Sequence, residues 1–324
     1  MDASTRAIQR VTVIGTGMMG PGIAMCFAAG GKQVTLAARG KVSLARGRSN
    51  LESCLRDLEA EELLTAGEVS AAMGRVDFST DIPGAAAGSD LVVESIAEDL
   101  AAKQALFAEL DKVCTLGTII ASNTSGLRIT DISALMSHPE RAATTHFWLP
   151  PHLMPLVEIV KGGRTSDETA QALKAVLTEI GKRPVVVRKD VPGQLGSRLL
   201  SAITREAMYI VQEGIASAEE VDTAIKTGLG LRFPVFGPLD HADVAGLDLV
   251  LAVHSYLFKE LCNATEPLPI LKEKVENGDV GARAGHGFYD WTQRDVAQTK
   301  AARDAFIKAR LKDLYPPRRA PAQG

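Results

Sequence analysis

Four cysteines in 324 residues, Cys26, Cys54, Cys114 and Cys262, are few and widely spaced. None forms a CxxC pair, so neither a metal site nor a disulfide framework is indicated, and a cytoplasmic, reducing location fits. The chain also lacks a charge excess. Its 36 Lys+Arg against 39 Asp+Glu leave a formal net charge of −3, with no long run of one sign. Nucleic-acid binders normally carry a basic excess or stripe, which excludes that class. No repeat with a period of about 20–50 residues stands out, which excludes solenoids and propellers. Val11–Gly31 is apolar enough to suggest a membrane span or signal peptide, but glycines and Pro21 interrupt it. Met1–Arg6 has no basic region leading into an apolar one. A buried strand, a tight turn and a helix account for the segment, and no membrane partner is expected. What is present is ordinary: 46% hydrophobic and 23% charged residues, enough for a full core and unlike a disordered chain. At roughly 150 residues per domain, the length suggests two domains.

Short β-branched runs alternate with helix-period segments over the first 190 residues: Val11–Ile14, Gln33–Leu36, Leu91–Glu94, Thr118–Ala121, Ala142–Thr145 and Pro184–Val187. Such runs, separated by helices, predict a doubly wound, mostly parallel sheet covered on both faces. Residues 41–74 form a long polar insertion that reads as a helical hairpin with a break near Thr65-Ala66-Gly67. After Val191-Pro192-Gly193 strand signals nearly vanish, and helix periods follow at about 195–213, 217–228, 239–262 and 267–277. The expected organisation is an α/β domain over 1–190, an all-α domain over 191–313 and a disordered, Pro-rich tail over 314–324.

Gly15-Thr16-Gly17-Met18-Met19-Gly20 is a GxGxxG that follows an apolar strand and opens a helix. In that setting the three glycines serve different ends. Gly15 allows the tight turn, Gly17 lets a pyrophosphate approach the backbone, and Gly20 lets helix and strand pack closely. The helix start supplies free N–H groups and a positive dipole end, with Met18 and Met19 flanking the cofactor. An acidic residue about 20 positions on would normally bind the adenosine ribose hydroxyls. Here the place reads Leu36-Ala37-Ala38-Arg39. A missing carboxylate beside Arg39 suggests NADP, whereas Arg39 merely covering the adenine would fit NAD.

Further motifs follow in order: Ser122-Asn123-Thr124-Ser125, His146-Phe147-Trp148-Leu149-Pro150-Pro151, Pro155-Leu156-Val157-Glu158, Arg198-Leu199-Leu200, Gly237-Pro238-Leu239-Asp240 and Gly285-His286-Gly287-Phe288-Tyr289-Asp290. With the glycine motif, this series resembles the 3-hydroxyacyl-CoA dehydrogenase family from about residue 10 to about 292. The His-Phe-Trp block is similar in style to the members acting on small 3-hydroxy acids, lambda-crystallin (gulonate dehydrogenase) and the carnitine dehydrogenases. The resemblance implies a Rossmann-type domain with a helical C-terminal domain, NAD as cofactor, and a homodimer formed through the helical domain. It also implies His146 as catalytic base with Glu158 as its partner, Ser125 beside the substrate hydroxyl, and Asn123, Glu98 and Lys103 at the cofactor. The chemistry agrees with the base assignment. Oxidising a secondary alcohol needs a group that takes the hydroxyl proton as hydride leaves, and histidine has an unperturbed pKa of about 6.5. No carboxylate partner is evident for His138, His152, His241, His254 or His286, which read as structural or surface residues.

The chain departs from the family pattern at two places. Leu149 stands where the family usually has Asn touching the nicotinamide carboxamide. Ser197 stands where the family usually has a substrate-binding Asn, and remains a shorter donor to substrate. Removing such a polar partner costs about 1–3 kcal/mol, which shifts substrate choice rather than abolishing hydride transfer. In CoA-using relatives the hairpin carries lysines and serines that meet the nucleotide phosphates. Here Glu52–Glu62 holds five acids against Arg56 alone, which would repel phosphate. The expected substrate is therefore a free 3-hydroxy acid or related small 3-hydroxy carbonyl compound. A 3-hydroxyacyl-CoA thioester is the alternative, and a nucleotide-binding structural protein that has lost turnover is the rival from another class.

Overall fold

Residues 7–314 are described by the computed structural model. Met1–Arg6, read above for a leader, and the stretch from Tyr315, read as a disordered tail, lie outside the described residues. Two units are formed: residues up to Leu195 together with those from Arg303 on, and Gly196–Ala302 between them.

In the first unit, β1 (Arg10–Ile14) leads through α1 (Gly20–Ala29) to β2 (Gln33–Ala37). The hairpin helices α2 (Lys41–Ala60) and α3 (Ala66–Met73) precede β3 (Val76–Ser79), α4 (Ile82–Ala87) and β4 (Leu91–Glu94). Then come α5 (Leu100–Val113), β5 (Ile119–Ser122), the short α6 (Ile129–Ile132), β6 (Ala142–Phe147), β7 (Leu156–Val160), α7 (Asp167–Glu179) and β8 (Arg183–Val187). The sheet order is β3-β2-β1-β4-β5-β6-β7-β8, parallel throughout except where β7 turns back against β6. The chain winds outward in both directions from β1 and β4, which opens a crevice at the carboxyl ends of those strands.

Alternation along each strand feeds two cores. Val11, Val13, Leu91, Val93 and Ala121 face α1, the hairpin and α7, while Ile14, Val92 and Ile120 face α5 and α6 with Phe107 and Leu110. The hairpin is no loose insertion. Gly47, Leu51, Leu55 and Leu58 form a buried stripe on α2, and Thr65 starts α3 with a capping box to Glu68. A Cβ at Gly47 would lie 2.6 Å from Thr16 Cγ2, so a glycine is required where α2 presses on the loop after β1.

The second unit carries α8 (Gly196–Gln212), then α9 (Ala218–Ala224), which runs through a π turn at Ile225–Leu229 into α10 (Gly230–Arg232). It continues with α11 (Pro238–Ala245), α12 (Leu247–Leu257), α13 (Pro269–Glu276) and the start of α14 (Val296–Leu314). The expected single helix over 239–262 is broken at Gly246, whose φ of 97° lies in a region that side-chain-bearing residues rarely adopt. None of α8, α9, α11, α12 or α13 has a buried residue, and Leu200, Leu251 and Phe258 are 56%, 69% and 60% exposed. Among the described residues no helix is long and apolar enough to cross a membrane.

From Arg303 on, α14 returns to the first unit, although the sequence pattern places residues to 313 with the helical domain. Leu311 and Ile307 join the core on the hairpin side. Lys308 Nζ lies 2.6 Å from Asp57 Oδ1 and 3.6 Å from Glu61 Oε1, and Lys312 Nζ lies 3.4 Å from Glu61 Oε2. The hairpin acids that read as a free, phosphate-repelling surface are thus largely matched by cations, since Glu52 also pairs with Arg48 at 3.1 Å.

Candidate active site

A cavity of about 1170 Å³ fills the crevice beyond the ends of β1 to β5. Its wall includes Gly15, Gly17, Met18 and Met19 after β1, Ala38 and Arg39 after β2, Thr80 and Asp81 after β3, Glu98 after β4, and Asn123 and Ser125 after β5. Gly15 has φ +116°, and a Cβ there would lie 2.3 Å from the Ser95 carbonyl oxygen. A Cβ on Gly20 would lie 1.8 Å from Gly15 O, so Gly20 acts inside the turn and does not reach the cavity wall. At Gly17 a Cβ would meet nothing within 4 Å, leaving that face of the backbone open. Helix α1 has no side-chain cap and no acid in its first turn. Among the described residues the N–H groups of Gly17, Met18 and Met19 have no protein acceptor. Unpaired donors at an uncapped helix start make an anion cradle, and the residues present fit a dinucleotide pyrophosphate.

The wall after β4 and β5 is held from beneath by a buried network. Glu94, fully buried at the end of β4, accepts from Lys103 Nζ (2.6 Å) and Ile96 N (2.6 Å) on Oε1, and from Ser122 Oγ (2.6 Å) on Oε2. The Lys103 ammonium is also 3.4 Å from Glu98 Oε2. Lys103 is 1% exposed, and its ammonium is engaged by both Glu94 and Glu98. Glu98 reaches the cavity. Its carboxylate accepts from Thr124 Oγ1 and from Gly126 N, joining the β4 and β5 loops. Burial alone would raise the Glu98 carboxyl, but the Thr124 hydroxyl, the Lys103 charge and the Gly126 N–H together hold it below the ordinary glutamate value. It is anionic at neutral pH.

The antiparallel pairing of β6 and β7 sets His146 directly opposite Glu158. Side chains of such a pair project to the same face, which accounts for the twelve-residue spacing. His146 Nδ1 lies 2.8 Å from Glu158 Oε2. A carboxylate there accepts the Nδ1 proton, leaving Nε2 with its lone pair. Glu158 is fully buried and takes two more donors that sequence reasoning misses: Trp148 Nε1 at 3.0 Å on Oε2 and Leu195 N at 2.8 Å on Oε1. Asn123 Oδ1 accepts from Phe147 N at 2.8 Å, which ties the β5 loop to the histidine strand. The HxW spacing is the available signal for Trp148, because alternate residues at a strand end share a face. Of the two departures from the family pattern, Leu149 is 46% exposed, and Ser197 lies in the first turn of α8, in the second unit.

Three histidines that read as lacking acidic neighbours have them. His152 Nε2 is 3.3 Å from Asp57 Oδ2, His138 Nδ1 is 3.4 Å from Glu140 and His286 Nδ1 is 3.7 Å from Asp290. Burial lowers the His152 pKa despite Asp57, so the ring is neutral at neutral pH. Burial pushes the Cys54 thiol up to about 11 and raises Cys114 too, so neither is a thiolate at neutral pH. Among the described residues no group of three or more His, Cys, Asp or Glu side chains could hold a metal ion.

Comparison with known proteins agrees with this geometry. The family described as 3-hydroxyacyl-CoA dehydrogenase, NAD binding domain, matches residues 10–191, and its C-terminal domain matches residues 193–291. A 5-formyl-3-hydroxy-2-methylpyridine 4-carboxylate 5-dehydrogenase of Mesorhizobium japonicum is 36% identical over 296 residues, covering 91% of this chain and 95% of the relative. A probable 3-hydroxybutyryl-CoA dehydrogenase of Bacillus subtilis is 38% identical over 289 residues, covering 89% and 99%. Among solved structures, a 5-formyl-3-hydroxy-2-methylpyridine 4-carboxylic acid 5-dehydrogenase described as an NAD+-dependent dismutase superposes with a TM-score of 0.86. It is 35% identical, and the match covers 95% of this chain and 98% of that one.

The buried pair yields a stability test. Lys103→Met strands the Glu94 charge and should cost about 3–5 kcal/mol in urea unfolding, while Lys103→Met/Glu94→Leu should recover most of the loss. A single variant that loses less than about 1 kcal/mol would show that the pair does not hold the wall.

Proposed function

The chain belongs to the 3-hydroxyacyl-CoA dehydrogenase family, and we propose that it is an NAD-dependent dehydrogenase acting on a small, free 3-hydroxy carbonyl acid. The observation that carries the reaction is the His146–Glu158 pair, at 2.8 Å, on a strand whose neighbour leads straight into the cavity wall. A bound nicotinamide would accept hydride from the alcohol carbon, or return it to the ketone. His146 Nε2 takes the hydroxyl proton as the carbonyl forms, and gives it back in the reverse direction. Glu158 keeps the proton on Nδ1, fixes the ring plane and balances the imidazolium. Ser125 orients the substrate hydroxyl. The open N–H groups at Gly17, Met18 and Met19 hold the pyrophosphate, and Glu98 and Asn123 shape the nicotinamide end. Ser197 is assigned to the substrate as the shorter donor in place of the family's Asn.

One feature supports a free acid over a thioester. The Mesorhizobium relative bears a name that specifies a pyridine carboxylate, not a thioester. The Bacillus relative favours the second reading, a CoA thioester. For the cofactor, the cavity wall contains Asp81, Glu98 and Glu109 against Arg39, a balance that favours NAD over the additional phosphate of NADP. We further infer a cytoplasmic homodimer. Helices of the second unit with no buried residue and many exposed leucines resemble a core cut in half, and a second copy of this chain completes it.

The substrate reading predicts turnover of free 3-hydroxy acids with NAD and reduction of acetoacetyl-CoA that is slower by at least about tenfold in kcat/KM. Fast acetoacetyl-CoA reduction would overturn it. If the end of β2 reads the ribose, Ala38→Asp should raise the NAD to NADP preference, by about tenfold for one charge repulsion; an unchanged ratio would show that the position is not read. Sedimentation equilibrium should give twice the chain mass, and a monomer at micromolar concentration would contradict the dimer.

A further inference from the structure

Trp148 has no place in hydride transfer and does not line the cavity, yet its indole N–H is directed at the oxygen that serves the catalytic histidine. Glu158 Oε2 accepts Trp148 Nε1 at 3.0 Å and His146 Nδ1 at 2.8 Å, and Oε1 accepts Leu195 N at 2.8 Å. A fully buried carboxylate has no water to share its charge with, so the N–H groups it accepts divide one delocalised negative charge. The two rings stand 6.0 Å apart between centroids with planes at 47°, so the indole neither stacks on nor crowds the imidazole. Its contact with the dyad is the hydrogen bond.

We propose that Trp148 is a positioning residue that divides the charge of Glu158 and so sets how strongly His146 holds its proton. The proposal rests on the reading of His146 as the base. It has two consequences. With two ring N–H groups on Oε2 and a backbone N–H on Oε1, the Glu158 carboxylate is locked in one plane, and His146 Nε2 is aimed with it. With part of its charge engaged by a neutral donor, Glu158 stabilises the imidazolium less than a carboxylate facing His146 alone would. The base therefore releases its proton at lower pH.

Other charged groups flank the strand pair, including Arg183 on β8 beside β7. Against β6 pack β5, whose residues Ile119–Ser122 are uncharged, β7, which brings Glu158, and the helices α6 and α7. Those helices bring Asp131, Asp167, Glu168, Lys174 and Glu179, of which Asp131, Asp167 and Glu179 pair with Arg128, Lys161 and Lys32. His146 has Glu158 as its one ion-pair partner among the described residues.

The test is the pH profile of kcat/KM for alcohol oxidation in the wild-type enzyme, Trp148→Phe and His146→Gln, with NADH affinity measured in each. Because Trp148→Phe also changes ring shape, a benzothienylalanine at position 148 keeps the shape and removes only the N–H. Both 148 variants should move the acid limb upward by about half a unit to one unit, the scale of a lost hydrogen bond to a charged group. Turnover well below the limb should fall about three- to tenfold, and NADH affinity should stay within about twofold. A limb that is lost in His146→Gln but unmoved, or moved downward, in the 148 variants overturns the role of Trp148 alone. A limb that persists in His146→Gln overturns the base assignment and the proposal with it.

Discussion

The proposed active site depends on a reversal of strand direction. Five parallel pairings would continue naturally into a sixth, but the turn after Trp148 sends β7 back against β6 and sets Glu158 opposite His146. A one-residue slip in that register would place the two side chains on opposite faces of the sheet. The register is held at the turn end of the hairpin. Lys182, itself buried, donates to the carbonyls of Pro151 and Met154 in the turn, and Asn123 accepts from Phe147 at the strand end. Gly22 lets α1 approach Pro151, where a Cβ would come within 2.6 Å of the ring. A carboxylate with no exposure is tolerable only because its oxygens are bonded, so the same contacts that aim the histidine also offset the cost of burying its partner.

A second buried charge organises the cofactor wall in the same way. Glu94 gathers a lysine of α5, a serine of β5 and a backbone N–H just beyond β4, and Glu98 extends the network to the cavity. Both acids sit at or just beyond the carboxyl end of β4, where the crevice opens. Rigid positioning is the main thing a protein can add to hydride transfer, because the chemistry belongs to the cofactor. The network spreads that positioning over β4, β5 and α5 and so leaves the glycine turn free to bind phosphate.

Much of this is legible in the chain, for identifiable reasons. Val11–Ile14 and Leu91–Glu94 are buried on both faces, so their apolar runs stand out, and the glycine motif between the first of them and α1 fixes the crevice. The edge strand β3, Val-Asp-Phe-Ser, is short and half polar and has no such signature. β7 stands out for its Glu158 but not as a strand, because a proline directly precedes it and a charged residue interrupts its five-residue apolar run. The pairing of Lys103 with Glu94 joins a helix face to a strand end, a relation that no local spacing encodes. The return of α14 is hidden for a similar reason. Lys308 and Lys312 match Asp57 and Glu61 in helical spacing, but they lie 251 residues away, so each set read alone looks like ordinary surface charge.

The central claim is that His146 moves the proton while the cavity independently holds the cofactor. The most direct measurement is single-turnover hydride transfer by His146→Ala at saturating NADH, alongside NADH affinity from fluorescence titration. The account predicts that the rate falls by at least about a hundredfold, the scale of general acid–base catalysis, with affinity within about twofold of wild type. A collapse of NADH affinity with an unchanged rate in the saturated enzyme would contradict it.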